Sequence, residues 1–421
     1  MTNTANSLPR TTDVLIVGAG PTGLALATTL ARRGVDHLVV DRLASGQNSS
    51  RAAVLHAHTL DVLSSLDGVT ERMTAEGLRL ARFSLRDRER ILTRLRFDGL
   101  PSRHSMLLML PQDRTEAILV DALVAAGGRV QRPFSAESFE EVGEGVRVSL
   151  AGGGGPEVVR AKWVVGADGM HSLVRQHAEI GFTGTTYEQS FVLADVEMDW
   201  AHGEDEVMLF FSPAGLVVVA PLPGHRFRIV ATLDEAPEHP DVADIQRLVD
   251  LRGPRDAPSV VRRVHWSSRF RLHHRVADSY RRGPFLIVGD AAHVHSPAGG
   301  QGMNTGLVDA CVLGQLLADV LAERRPASDI DLYESLRRPA AQEVLALADR
   351  LTRMATMRRS VPRVLRNLAL RAIDLVPPAR ERLVRNLSGL ARREAAELPT
   401  REQGRGRTST TDAAHSRSQA R

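Results

Sequence analysis

A chain of 421 residues, 43% hydrophobic and 25% charged, has a globular balance and exceeds the core of one ordinary domain, so two intimately packed domains are expected. Its formal net charge is only +4 and its aromatic content 4%, which speaks against a nucleic-acid surface built from a basic patch with interleaved rings. Cys311 is the single cysteine, no apolar run reaches the roughly 18 residues of a membrane span, and the polar Met1–Thr12 has no leader core; a protein without disulfides or stable membrane insertion, in the cytoplasm, is expected.

Taken in chain order, Asp13 to Gly18 reads as a short buried strand of the parallel-sheet kind, through Val14, Leu15, Ile16 and Val17. Pro21 to Arg32 is helical, with Leu24, Ala27, Leu30 and Ala31 on one face, and Leu38 to Val40 is a second strand closed by Asp41, completing a βαβ unit. His58 to Leu66 and Arg114 to Ala126 read as helices, with strands between them from Phe83 to Phe97. Lys162 to Ala167 is another buried strand. The runs Val207 to Phe211, Leu216 to Ala220 and Arg226 to Val230 are punctuated by Pro213, Pro221, Pro223 and Gly224, as an antiparallel sheet would be. Pro284 to Gly289 returns to the buried-strand pattern, and a helix follows from about Gly302 to Ala322. One sheet interrupted by an inserted sheet explains this order better than two tandem domains. The segment Leu332 to Leu390 is helical, with breaks at Pro362, Pro377 and Pro378. Its arginine-rich part, Arg350 to Arg393, reads as a solvated helix face with Leu and Val in core positions. Beyond about Thr400 the composition predicts disorder.

Three motifs carry chemistry. Gly18-Ala19-Gly20-Pro21-Thr22-Gly23 lies between strand and helix, where Gly18 permits the tight turn, Gly20 lets backbone approach a pyrophosphate and Gly23 lets helix and strand pack closely. The helix N-terminus offers free N–H groups to phosphates, and Asp41, with Arg42 beside it, stands where a carboxylate accepts from an adenosine ribose. The pattern predicts a dinucleotide, FAD or NAD. Lys162 to Gly169 is a strand ending in Asp168-Gly169, followed by a helix start with Ser172 as cap, which puts Asp168 at the sheet's carboxyl edge. Phe285 to Val288 repeats the design into Gly289-Asp290, then runs through Ser296-Pro297-Ala298-Gly299-Gly300-Gln301-Gly302-Met303-Asn304. Asp290 at a strand end suits the hydroxyls of a flexible polyol, and the glycine run opens a helix whose N–H groups face developing negative charge.

In order and spacing these motifs resemble the single-component FAD-dependent aromatic hydroxylases, the para-hydroxybenzoate hydroxylase-like flavoprotein monooxygenases, over roughly Asp13 to Leu390. The resemblance extends to Ser49-Ser50-Arg51-Ala52, whose arginine would reach the FAD backbone, and to Leu110-Pro111-Gln112, whose glutamine would contact the ribityl chain. It implies that Asp168 and Arg175 serve FAD and a pyridine nucleotide, that Asp290 holds the ribityl chain, and that Pro297 lies beside the isoalloxazine. Gly302, Met303 and Asn304 would face the ring's N1 and O2 edge through backbone N–H groups.

The implied fold is α/β: a Rossmann-like FAD-binding domain (1–180 and 282–395, the latter with C-terminal helices), an inserted, mostly antiparallel substrate sheet (181–281) and a tail (396–421). The implied reaction uses NAD(P)H to reduce FAD, then dioxygen, through a C4a-hydroperoxide, to hydroxylate an aromatic, phenolic or polyketide-like ring. The apolar runs of the insert are expected to line its cavity. Of His225, His265, His273 and His274 none is selected as a base, and His293-x-His295 lacks a third metal ligand, so no metal is expected. Cys311 reads as a small buried residue. Baeyer–Villiger or epoxidising chemistry, an FAD-dependent reductase, and a flavin-binding protein without catalysis stay open as alternatives.

Overall fold

The computed structural model describes residues 8–46, 52–152, 154–233, 237–257, 259–355 and 360–399. Arg51 and the neighbouring Ser49 and Ser50 lie outside these residues, as does the stretch after residue 399 for which disorder is expected.

The first sheet has the order Arg281–Arg282, Phe285–Ile287, Gly155–Gly166, Thr11–Val17, His37–Val40, Val130–Gln131, and the hairpin Phe134–Val142 and Gly145–Gly152 extends it beside Gly155–Gly166. Five adjacent strands are parallel, with Ile287, Gly166, Val17, Val40 and Gln131 level at their carboxyl ends. Parallel strands are buried on both faces, which is why Val14, Leu15 and Ile16 have no exposure and no polar alternation; each such side chain contributes about 1.5–3 kcal/mol of burial. The helices Pro21–Arg32 and Gly302–Leu321 pack against each other over this sheet. Cys311 is buried there, and burial pushes its thiol up to about 11, so it is an inert apolar filler.

The second sheet has the order His293–Val294, Val260–Ala277, Phe182–Asp199, Arg226–Leu233, Gly215–Leu222, Glu206–Ser212, Arg82–Asp87, Arg90–Arg96. It is antiparallel except where Glu206–Ser212 runs parallel to Arg82–Asp87. Two of its strands therefore come from before the stretch 181–281 and one from after it. Alternation in the sequence reveals a strand but not its partner, and edge strands find theirs only in three dimensions. The helix Val242–Arg252, absent from the sequence reading, covers one face, where Ile245, Leu248 and Val249 pack on Met208, Phe210, Val217 and Val219. A capping box, Asp241 with Asp244, sets its start. The other face turns toward a short sheet of Val54–His56, Leu107–Met109 and Leu78–Leu80 and toward the helices Asp331–Ala355, Ser360–Leu375 and Pro377–Leu387.

Candidate active site

The strand ends of the three motifs meet. Gly18 N–H donates to Val40 O at 2.8 Å, Ala167 N–H to Val17 O at 2.8 Å, and Val288 N–H to Gly166 O at 3.0 Å, so the turns leave the sheet side by side. Gly18 has φ +104°, and a Cβ there would fall 2.4 Å from Ala167 O; one at Gly23 would fall 2.0 Å from Gly18 O. The loop is thus closed hard onto the sheet. A Cβ at Gly20 would meet nothing within 4 Å, so the loop is open on the side where Gly20 caps the helix Pro21–Arg32. Asp41 ties this loop to the second strand: Oδ2 accepts from Ala19 N–H at 2.7 Å and Oδ1 from Leu43 N–H at 2.8 Å. Arg42 next to it is exposed. Arg132, which no sequence signal marked, lies 3.7 Å from Asp41 and donates to Ala19 O.

Asp168 Oδ2 accepts from Leu173 N–H at 2.7 Å, while Ser172 caps the short helix by accepting from Arg175 N–H at 3.0 Å. Oδ1 of Asp168 is buried without a hydrogen-bond partner among the described residues, and burial pushes the carboxyl up despite the N–H bonds. Arg175 joins two motifs: it donates to Met170 O and Ala291 O at 2.8 Å each and lies 3.9 Å over the Phe182 ring. Its guanidinium serves the protein backbone, which gives it a fastening role apart from the ligand contact implied by resemblance. Gly289 abuts Thr22 in the first turn of the glycine-loop helix, and Asp290 beside it is exposed.

The loop Ser296–Gln301 is gripped from the C-terminal helices. Thr352 donates to Ser296 Oγ at 2.8 Å, and Gln301 donates to Leu387 O at 2.8 Å. Gly299, at φ +85°, would with a Cβ press on Leu351 and Leu387 at 3.3 Å, and a Cβ at Gly300 would strike Val54 at 2.2 Å. Pro297 accepts from Gly300 N–H at 2.9 Å and closes the turn. The helix that follows makes its first backbone bond from Thr305 to Gln301, so the N–H groups of Gly302, Met303 and Asn304 have no acceptor within the helix. The Asn304 side chain accepts from His56 N–H and donates to Val54 O and Gly300 O, each at 2.8 Å. Gln112 donates to Glu116 at 2.9 Å and accepts from Ala52 N–H at 3.3 Å, which places it against the segment that follows Arg51.

Beside this loop stands an apolar wall. Leu209, Val218 and Val230 are cross-strand neighbours on one sheet face and remain partly exposed between buried flanks. Val218 shares a cluster with Val54 and Leu351, the side chains that touch Gly300 and Gly299. The ion pair Asp195–Arg228, doubly bonded at 2.7 and 2.8 Å, lies on the same face. Of the histidines considered, His225 and His265 pair with Glu204 and Glu197 on the periphery. His293 is buried in a closed triad: its Nε2 lies 2.6 Å from Asp309, whose other oxygen accepts from Arg337 at 2.6 Å. His295 borders Gly302, and burial lowers it to about 4, so it is neutral at pH 7.

The adjoining helix starts at Gly20 and Gly302, the open flank at Gly20 and the strand-end carboxyls Asp168 and Asp290 suit a long, polar, negatively charged cofactor. The comparisons agree. The family model described as "FAD binding domain" matches residues 11–348. The chain is 33% identical over 388 residues to 6-methylpretetramide 4-monooxygenase of Streptomyces rimosus, covering 90% of this chain and 69% of that protein. It is 31% identical over 339 residues to pentachlorophenol 4-monooxygenase of Sphingobium chlorophenolicum, covering 79% of this chain and 63% of the relative. Among solved structures, OxyS anhydrotetracycline hydroxylase from Streptomyces rimosus superposes with a TM-score of 0.76 at 31% identity, covering 90% of this chain and 76% of that one. The protein therefore belongs to the FAD-binding domain family and is an FAD-dependent monooxygenase of the aromatic hydroxylase kind.

Proposed function

We propose that this enzyme uses NAD(P)H and dioxygen to hydroxylate a large, flat, phenolic ring system of the polyketide type. The observation that carries this reading is the partly exposed row Leu209–Val218–Val230, an apolar surface that continues into the side chains packed on Gly299 and Gly300. Such a wall gains from burying a polycyclic face and offers little to a small charged acid. Relatives that act, by name, on anhydrotetracycline and pentachlorophenol support the choice of ring.

FAD, when bound, supplies hydride acceptance and dioxygen activation; the residues do the rest. Gly18, Gly20, Gly23 and Asp41 would hold its adenosine and pyrophosphate end, with Arg42 beside Asp41 and Arg51, by resemblance, reaching the FAD backbone. Asp168, Gly289, Asp290 and Gln112 would hold the polyol. The turn at Pro297 and Gly299 would lie beside the ring. The N–H groups of Gly302, Met303 and Asn304 would stabilise negative charge at the ring edge, as preorganised dipoles do. The apolar wall would keep water from the reacting atoms. A cytoplasmic setting accords with the lone, buried Cys311.

The test is to purify the yellow protein and follow NAD(P)H oxidation, oxygen uptake and product mass against a series of phenols of one to four fused rings. Stimulation that rises with ring number, with one oxygen atom added to the product, is expected. NAD(P)H consumption without oxygen uptake would replace this reading with that of a reductase.

A further inference from the structure

The helix Ser360–Leu375 faces the wrong way for a solvated surface helix. Every exposed position from 361 to 376 is apolar: Val361, Val364, Leu365, Leu368, Ala369, Ala372, Leu375 and Val376. Leu375 is 82% exposed, Val361 68% and Leu368 63%. This contradicts the expectation that Leu and Val here would be core positions under a polar face.

Hydrogen bonds hold the polar side inward. Arg366 is buried over the Phe211 ring at 3.9 Å, Asn367 donates to Asp87 at 2.7 Å, and Asp374 accepts from Thr93 at 3.0 Å. Rotating the helix to hide its apolar stripe would break all three contacts, so the outward stripe is fixed by the fold.

We infer that this stripe is a homodimer interface, in which two copies of the helix pack antiparallel across a twofold axis at Leu368. Four observations select a second copy. The spacing Val361, Leu365, Leu368, Ala372, Leu375 alternates four and three, the period of a helix–helix seam. Antiparallel pairing about Leu368 sets that residue against itself, Val361 against Leu375, and Val364 against the small Ala372, and it aligns the two helix dipoles favourably. The stripe runs ~22 Å and presents on the order of 500 Å², the upper end of what a free monomer exposes and most of the ~800 Å² per partner of a stable interface. Finally, no charge in the helix is fully exposed, Arg363 and Arg371 being partly buried at its edge, whereas docking on an anionic lipid surface would need fully exposed Arg or Lys along the rim. Residues 400–421 are not a rival occupant, because they hold only Ala413, Ala414 and Ala420 as apolar side chains.

The test uses the full flavin-loaded chain in sedimentation velocity from about 1 to 100 μM. Wild type is expected to sediment as twice the 45.9 kDa chain. Leu368→Asp, which sets two carboxylates face to face on the axis, is expected to be monomeric throughout that range with unchanged flavin content and circular dichroism. Leu368→Cys is expected to form a covalent dimer on oxidation, since the native Cys311 is buried, while Val361→Cys alone is not. A monomeric wild type at 100 μM overturns the inference, as does a Leu368→Asp variant that stays dimeric, or cross-linking of Val361→Cys in preference to Leu368→Cys. A monomer that co-sediments with phosphatidylglycerol vesicles, and is released by Leu368→Asp, assigns the stripe to a lipid surface and also overturns it.

Discussion

Gly20 and Gly23 stand three residues apart in one loop, yet the geometry assigns them opposite penalties on substitution by alanine. At Gly20 the backbone is at φ −75°, ψ −176°, open to any residue, and an added Cβ meets nothing within 4 Å. The loss of a better helix cap costs a few tenths to about 1 kcal/mol, and the stiffer unfolded chain returns about 0.4–1 kcal/mol, so the flavin-free protein should change by less than about 0.5 kcal/mol. The methyl group would instead stand where a phosphate approaches. Losing one N–H bond to a charged phosphate costs about 1.5–3 kcal/mol, which is roughly 10- to 150-fold in Kd. At Gly23 the added Cβ would sit 2.0 Å from Gly18 O and 3.2 Å from the Ala167 Cβ, both fixed by the sheet. Helix and strand must separate there, at about 3 kcal/mol or more. The assay is urea unfolding of both stripped apoproteins beside FAD fluorescence titration. If Gly20→Ala lowered apoprotein stability as much as Gly23→Ala, or bound FAD within twofold of wild type, the assignment of this open flank to the pyrophosphate would be wrong.

Other expectations follow from the buried polar groups and the wall. Burial lowers His56 and His58 to about 4, while in the unfolded chain they titrate near their ordinary value of 6.5. The unfolded state therefore takes up protons first, and stability should fall as pH drops from about 6.5 to about 4, by up to roughly 3 kcal/mol per histidine; urea midpoints at pH 7.5, 6 and 5 measure it, and a flat profile refutes the neutral assignment. Burial pushes Asp309 upward, but Arg337 and His293 outweigh it and hold the carboxyl below its ordinary range, so its stabilisation is present above about pH 4 and lost only as pH falls further. Asp309→Asn strands the Arg337 charge in the core and should cost about 3–5 kcal/mol in thermal or urea unfolding; a loss under 1 kcal/mol would show that the triad is dispensable. Val218→Phe should raise KM for a polycyclic substrate by about 5- to 150-fold through overpacking of about 1–3 kcal/mol, with bound flavin unchanged; unaltered kinetics would remove Val218 from the substrate wall.

The parallel core and its three motifs were legible because each was written locally. A buried strand is a continuous apolar run, and the turn after it must contain glycine or a capping residue, so Gly18, Asp168-Gly169 and Gly289-Asp290 could be placed at strand ends without a partner in view. Pairing was not legible: nothing in Arg82–Arg96 states that it closes the second sheet beside Glu206–Ser212. Nor could the grip of Thr352, Leu387 and Arg392 on the loop around Gln301 be read, since those contacts span up to 91 residues and carry no motif. Arg175 illustrates the limit of resemblance, for its position was evident while its use as a backbone fastener was not. The outer helix misled the reading for a physical reason, because periodicity reports that a helix has an apolar stripe without saying which way the stripe points.

The pair His293–Val294 leads directly into the glycine turn, yet it is hydrogen-bonded as the last strand of the other sheet, with Arg275 opposite Val294 and Val276 opposite His293. The glycine turn and the apolar wall are thus joined by one continuous ladder of amides. A ring system seated against the wall would therefore be coupled to the cofactor's seat through backbone, without a messenger side chain.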